Sequence, residues 1–347
     1  MTSFPDRAAL DAALAALPEA DTAAVEQARA LQRSLCKPEG SLGRLEEIAL
    51  FMAGWQGTQH PCLRRGQTVV FAGNHGIARH GVSAFPPETT RDMVLNFERG
   101  GAAINALCGV AGFEFQVVSL ELDCPTADFT AGAAMTEAEV LRALSIGAQA
   151  ISADTDLLVI GEMGIANTTT AAALACLIYG GAPAEWVGRG TGVDPLGVQR
   201  KIDVVRRAVA LHGDTPRMAL DLLAAVGGRE LAAMAGAVLG ARLRRIPVLL
   251  DGFICCAAIA PLAVQNPQII QHCLAGHQSE EPGHLRVLQH FGLSPLLQLN
   301  MRLGEASGAA VAALLVKAAL AAHNQMATID EALSGNLPQR RATALAG

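Results

Sequence analysis

Leu157-Leu158-Val159-Ile160-Gly161-Glu162-Met163-Gly164-Ile165-Ala166-Asn167-Thr168-Thr169-Thr170 is the stretch that decides the fold. Four apolar residues in succession suit a strand buried on both faces, as strands of a parallel sheet are. Glycines follow, and residues 168–178 then read as an Ala-rich helix. One strand–turn–helix unit means little alone, but its recurrence implies a parallel sheet with helices on both faces. It recurs at Thr68-Val69-Val70-Phe71-Ala72 before Gly73, at Gln116-Val117-Val118-Ser119-Leu120, and at Val248-Leu249-Leu250 before Asp251-Gly252. Helical stretches at 141–150 and 230–243 lie between these strands. The expected class is therefore α/β, a Rossmann-like parallel sheet flanked by helices.

Composition agrees and narrows the function. The chain has 347 residues, 51% of them hydrophobic and 17% charged, so it can bury a large core and is not a disordered polymer. A net charge of −6 with 4% aromatics lacks the basic, ring-bearing face of a nucleic-acid platform. The most apolar windows are 246–264, interrupted by Asp251, Pro247 and Pro261, and 309–322, which holds Lys317. Both are expected to be buried core rather than membrane spans. The opening MTSFPDRAAL has no basic start followed by an apolar run, so no secretory signal is expected. Eight cysteines form no C-x-x-C pair, which points to reduced, core-packed thiols and a cytoplasmic protein. Adjacent Cys255 and Cys256 leave a redox device open beside plain packing.

Before the first strand, residues 6–57 read as helices, with a Pro- and Gly-marked loop over Lys37-Pro38-Glu39-Gly40-Ser41-Leu42-Gly43-Arg44-Leu45-Glu46. Ser41 is expected to cap the helix after it.

Ligands of an open parallel sheet bind outside the carboxyl ends of the strands, so the segments after each strand matter most. Residues 71–86, with Asn74-His75-Gly76, Ser83 and Phe85, form a long post-strand loop, either part of a site or a turn carrying a surface His. Gly161 to Thr170 places free backbone N–H groups and a helix start together, an anion site, unless Asn167 and Thr168 merely cap the helix. It fits neither G-x-G-x-x-G nor G-x-x-x-x-G-K-[ST]. Gly188-Arg189-Gly190-Thr191-Gly192-Val193-Asp194, with Lys201 beyond it, suits a phosphate, the alternative being a flexible connection and a solvated Lys. Gly276-His277-Gln278-Ser279-Glu280-Glu281-Pro282-Gly283-His284 has two His and two Glu but no metal-ligand spacing, so no metal is expected. Met301-Arg302-Leu303-Gly304-Glu305-Ala306 sets Glu305 among apolar residues that raise a carboxyl pKa, as suits a general base, or else at a helix start favoured by the dipole. Phosphate-type loops, two embedded carboxylates (Glu162 and Glu305) and no metal or redox motif point to transfer at a phosphorylated sugar. A nucleoside phosphorylase or hydrolase, and a non-catalytic nucleotide binder, remain alternatives.

Taken in order, the 37–46 segment, Asn74-His75-Gly76, Gly161-Glu162-Met163-Gly164, Gly190-Thr191-Gly192 and Leu303-Gly304-Glu305 resemble the nicotinate-nucleotide–dimethylbenzimidazole phosphoribosyltransferases, the CobT family. The resemblance spans about 31–320. It implies transfer of ribose 5-phosphate from nicotinate mononucleotide to 5,6-dimethylbenzimidazole. The products are α-ribazole 5′-phosphate, for the lower ligand of cobalamin, and nicotinate. By resemblance Glu305 is the general base and Glu162 stabilises the transition state. Phosphate and ribose would meet Gly164, Asn167, Gly190, Thr191, Lys201 and Ser279, and the benzimidazole would meet Ser83, Phe85, Met301 and Leu303. The resemblance further implies small-molecule substrates and a homodimer whose sites are each completed by the neighbour. No cofactor, metal, nucleic acid or membrane span is expected. The expected division is a large α/β substrate-binding domain over 60–300 and a small helical domain from 1–59 and 301–347. One departure is Pro87, where the family commonly carries a polar residue such as Gln, which leaves the preferred azole acceptor open.

Overall fold

The computed structural model describes residues 2–335. Five parallel strands form one sheet: β1 (Gly66–Ala72), β2 (Phe113–Ser119), β3 (Leu157–Met163), β4 (Val248–Leu250) and β5 (Cys273–Ala275), in the order β2-β1-β3-β4-β5. The four strands expected from the sequence are all present. β5 is additional: Cys273-Leu274-Ala275 has no β-branched residue and follows straight on a 3₁₀ turn, so nothing in it reads as a strand. β2 starts three positions before the apolar run because it is an edge strand, where Glu114 and Gln116 sit without breaking a buried layer.

Alternation along the strands feeds two cores. Val69, Phe71, Leu158, Ile160, Val248 and Leu250 point to one face, covered by helices Asn167–Tyr179, Arg229–Leu243 and Phe253–Gln265. Val70, Leu157, Val159 and Leu249 point to the other, covered by Arg44–Gln56, Ala103–Ala111 and Ser307–Gln325. The two ends of the chain are divided between these faces. Phe4, Leu10 and Leu14 join the first core, while helices Thr22–Ser34 and Arg44–Gln56 pack with Ser307–Gln325 on the second. Of the expected terminal unit over 301–347, residues 336–347 lie outside the described residues.

The Ala and Gly excess has a packing reason. Helices Glu137–Gln149 and Arg229–Leu243 run backbone against backbone: a Cβ on Gly236 would fall 1.9 Å from the Leu144 carbonyl oxygen, and one on Gly147 1.8 Å from that of Ala233. Only residues without side-chain bulk allow that approach. Ser307–Gln325 is long and apolar enough to cross a membrane, yet it packs on the sheet and on Arg44–Gln56, and it is a core helix. Ser41 does not cap Arg44–Gln56. That place belongs to Gly43, at φ +50°, because the Pro38–Gly43 turn runs on to the helix start through backbone hydrogen bonds and through the Leu42 N–H, which donates to Glu46 Oε1 at 3.0 Å. All eight cysteines are free, and Cys255 and Cys256 are buried in the first core.

The chain passes from β1 outward to β2 and then returns to β3 on the other side of β1. Connections at the carboxyl ends of β1 and β3 therefore diverge, and the loops after β3, β4 and β5 gather beside that opening.

Candidate active site

A cleft of about 640 Å³, counted with its open mouth, lies there. Its wall is supplied by Glu162 at the end of β3, the start of helix Asn167–Tyr179, the turn at Gly190 and Thr191, Gly252 to Ile254 after β4, His277, Ser279 and Glu281 after β5, and the Arg302–Glu305 turn.

Backbone geometry brings the two carboxylates of the sequence reading together. Gly161 lets β3 pass against the Glu305–Ala306 turn, since a Cβ there would fall 2.2 Å from the Ala306 nitrogen. Gly304, Glu305 and Ala306 all have left-handed backbone, at φ +80°, +59° and +65°. For Glu305 and Ala306 that conformation costs on the order of 1 kcal/mol each, a strain characteristic of functional turns. Asp251, at the end of β4, holds the turn by accepting the Ala309 N–H at 2.9 Å, in place of a cap from within helix Ser307–Gln325.

Three buried acids thus share one region. Burial pushes Glu162 up to about 8, with the Asp251, Glu230 and Glu305 carboxylates adding to it and the Asn167 side-chain amide opposing it. Burial, then Asp251, lifts Glu305 to about 7. Asp251 is raised by burial against the pull of His277, whose Nε2 lies 3.5 Å from its Oδ1. Carboxyl groups set near neutrality inside a cleft mark a place where protons are exchanged.

At the other side of the cleft the surroundings suit an anion. Helices Asn167–Tyr179 and Phe253–Gln265 both open onto it with no side-chain cap, so their N-terminal dipoles face the space. Lys201 is buried behind the Gly-rich turn, donating to Gly188 O at 2.8 Å and Thr168 Oγ1 at 3.0 Å; burial brings its ammonium down to about 8. Arg302 Nη1 reaches Gly190 O at 3.3 Å.

Comparison with known proteins identifies the family. The phosphoribosyltransferase family matches residues 17–333. The chain belongs to that family. A nicotinate-nucleotide–dimethylbenzimidazole phosphoribosyltransferase of Novosphingobium aromaticivorans is 59% identical over 332 residues, 96% of this chain and 98% of that protein. One from Rhodobacter capsulatus is 56% identical over 316 residues, 91% of this chain and 94% of that one. The crystal structure of CobT from Thermus thermophilus superposes with a TM-score of 0.84 at 42% identity, covering 91% of this chain and 99% of that one.

Among the site residues expected from the sequence of this phosphoribosyltransferase, Glu162, Gly164, Asn167, Gly190, Thr191, Ser279, Leu303 and Glu305 line the cleft. Lys201 stands one layer behind it. Ser83, Phe85 and Met301 do not line it: Ser83 Oγ accepts the Phe85 N–H at 3.3 Å, the Phe85 ring is half-exposed, and Met301 O accepts the Glu280 N–H at 3.1 Å. Within the single chain the ring-pocket set is therefore reduced to Leu303. His75 is not a surface residue. It is buried, with Nε2 at 2.5 Å from Glu230 Oε1. Sequence reasoning passed over Asp251, His277, Glu281 and Arg302 as site residues. All four sit within quoted segments, but only the tertiary fold turns His277, Glu281 and Arg302 into the cleft wall and sets Asp251 behind it. His284 is buried and brought down to about 3, hence neutral; its Nδ1 accepts the Ser279 N–H at 2.9 Å, which assigns its proton to Nε2, facing Cys256 Sγ.

Proposed function

We propose that the chain is a nicotinate-nucleotide–dimethylbenzimidazole phosphoribosyltransferase. It moves ribose 5-phosphate from nicotinate mononucleotide to 5,6-dimethylbenzimidazole, and yields α-ribazole 5′-phosphate and nicotinate for the cobalamin lower ligand. The observation that carries the reading is Glu305: a buried carboxylate lifted to about 7, on a strained turn, in one cleft with an anion-binding wall.

One benzimidazole nitrogen attacks the ribose anomeric carbon from the face opposite nicotinate, while the other nitrogen gives its proton to Glu305. The bond to nicotinate breaks with its electron pair passing to the pyridinium nitrogen, so charge and protons balance and the centre inverts. The nicotinate ring is already cationic in the mononucleotide, which removes the need to protonate it as it leaves. Glu162 lines the same cleft as Glu305 and stabilises the cationic ribose of the transition state in its ionised form, which a bound cation favours. The phosphate takes the helix starts and the Gly190 turn, with Lys201 behind.

The same proposal includes a homodimer in the cytoplasm, working without a cofactor. Exposed Leu303 in the cleft wall supports the dimer, since a second copy would cover it and supply the ring contacts that one chain lacks. It also keeps the division into 60–300 and a helical unit from 1–59 and 301–347, supported by the packing of Arg44–Gln56 on Ser307–Gln325.

The test is product identification. Nicotinate mononucleotide with dimethylbenzimidazole should give nicotinate and α-ribazole 5′-phosphate in equal amounts, and little nicotinate without the acceptor. Equal release without acceptor would assign the site to hydrolysis instead. A panel of azoles in the same assay reads the acceptor preference left open by Pro87.

A further inference from the structure

Glu281 is a negative group in a place built for an anion. It directly precedes helix Pro282–Phe291, yet its side chain does not cap that helix. Instead Oε1 crosses to the Gly-rich turn and accepts the Gly190 N–H at 2.9 Å. Its other oxygen, Oε2, is buried with no hydrogen-bond partner. Lys201 lies against the same turn, its Nζ 3.2 Å from where a Cβ on Gly190 would be, and the Glu281 charge partly offsets the burial that lowers its pKa. Gly190, Glu281 and Arg302 all face the cleft. An acid normally gains by capping its own helix, and a buried carboxylate oxygen without a donor is costly. This carboxylate gives up the first and bears the second while holding one donor of the turn.

We propose that Glu281 is a specificity-determining residue for the phosphate of the donor nucleotide, holding the Gly190 N–H and yielding it to a phosphate oxygen on binding. The inference rests on the reading of the 188–192 turn as the phosphate loop. A dianionic phosphate and a carboxylate cannot share one N–H, and at this distance they repel. The displaced carboxylate has a second position close by, at the uncapped start of Pro282–Phe291. Affinity for phosphorylated ligands is therefore lower than the turn, Lys201 and Arg302 would provide alone, whereas a ligand without phosphate does not displace Glu281.

The experiment compares wild type, Glu281→Gln and Glu281→Asp with three ligands: nicotinate mononucleotide (KM), nicotinate riboside (KM) and inorganic phosphate (Kd by calorimetry). Glu281→Gln keeps the acceptor and the size but removes the charge. It should tighten the mononucleotide and inorganic phosphate by roughly three- to tenfold and leave the riboside unmoved. Glu281→Asp keeps the charge and should tighten neither. Weaker phosphate binding in Glu281→Gln, or equal shifts for mononucleotide and riboside, overturns the proposal and leaves Glu281 as a brace for the turn. Lys201→Met separates this from failure of the underlying reading. It must weaken the mononucleotide more than the riboside, and if it does not, the turn is not a phosphate loop and the proposal falls with it.

Discussion

Two sets of buried carboxyl groups lie near the carboxyl ends of β1 and β3, and they are built differently. Glu230, at the start of helix Arg229–Leu243, is fully buried and paired with His75, whose Nδ1 lies 3.0 Å from Thr170 Oγ1. That group is closed on all sides. Glu162 and Glu305 border the open cleft, with Asp251 behind them and His277 beside Asp251, while Arg302 lines the same cleft. Burial is common to both, so burial does not distinguish structure from chemistry here. The partner does. A carboxylate matched to a base within hydrogen-bond reach gains more from order than from exchanging a proton. Glu162 and Glu305, lifted first by burial and then by the acids near them, are held near neutral pH, where a proton moves at little cost.

The largest effect that separates the two groups is on turnover. Glu305→Gln keeps size and hydrogen bonding but cannot take a proton. It should lower kcat by roughly 10²- to 10⁴-fold with the mononucleotide still bound, seen in steady-state rates and in ligand-induced thermal shift. Retained turnover would remove Glu305 from the base role.

The converse experiment is on the closed group. His75→Ala leaves Glu230 buried without its partner and should cost about 3–5 kcal/mol of stability in denaturant unfolding. Glu162→Gln is the control. Because the Glu162 pKa is raised by folding, its ionisation disfavours the native state, so stability is lost as pH rises through about 8. The Gln variant, fixed in a neutral form, should therefore unfold later than wild type above that pH. Similar losses from both substitutions would erase the distinction drawn between the groups.

This distinction was only half legible in the sequence. The sheet could be read because β1, β3 and β4 are continuous apolar runs closed by glycine, and Glu162 and Glu305 stood out because each interrupts a Gly-rich or apolar segment. β5 could not be read, since Cys273-Leu274-Ala275 has no β-branched residue and no glycine directly before it to mark a strand. Nor could the partners: His75 and Glu230 are 155 positions apart, and nothing local marks either as buried. Asp251 reads as a strand-ending Asp-Gly, and its hold on Ala309 spans 58 positions. Ser83, Phe85 and Met301 lie beside the right motifs, yet the single chain does not turn them into the cleft.

The finest test of the comparison is whether Glu305 is lifted by its acidic neighbour as well as by burial. Asp251→Asn keeps an oxygen to accept the Ala309 N–H, so the strained turn retains its anchor, while the charge behind Glu305 is gone. A general base works deprotonated, so the acid limb of kcat/KM in the wild type should fall near pH 7 and activity should rise through it. In Asp251→Asn that limb should move toward acid by somewhat less than about one pH unit, because burial, the larger cause, is untouched. A limb that stays in place in a normally folded variant would mean that burial alone sets Glu305. The cleft would then owe its poise to the exclusion of water by the turn rather than to acids facing one another, and the contrast with the His75–Glu230 group would rest on access to the cleft instead of on the partner.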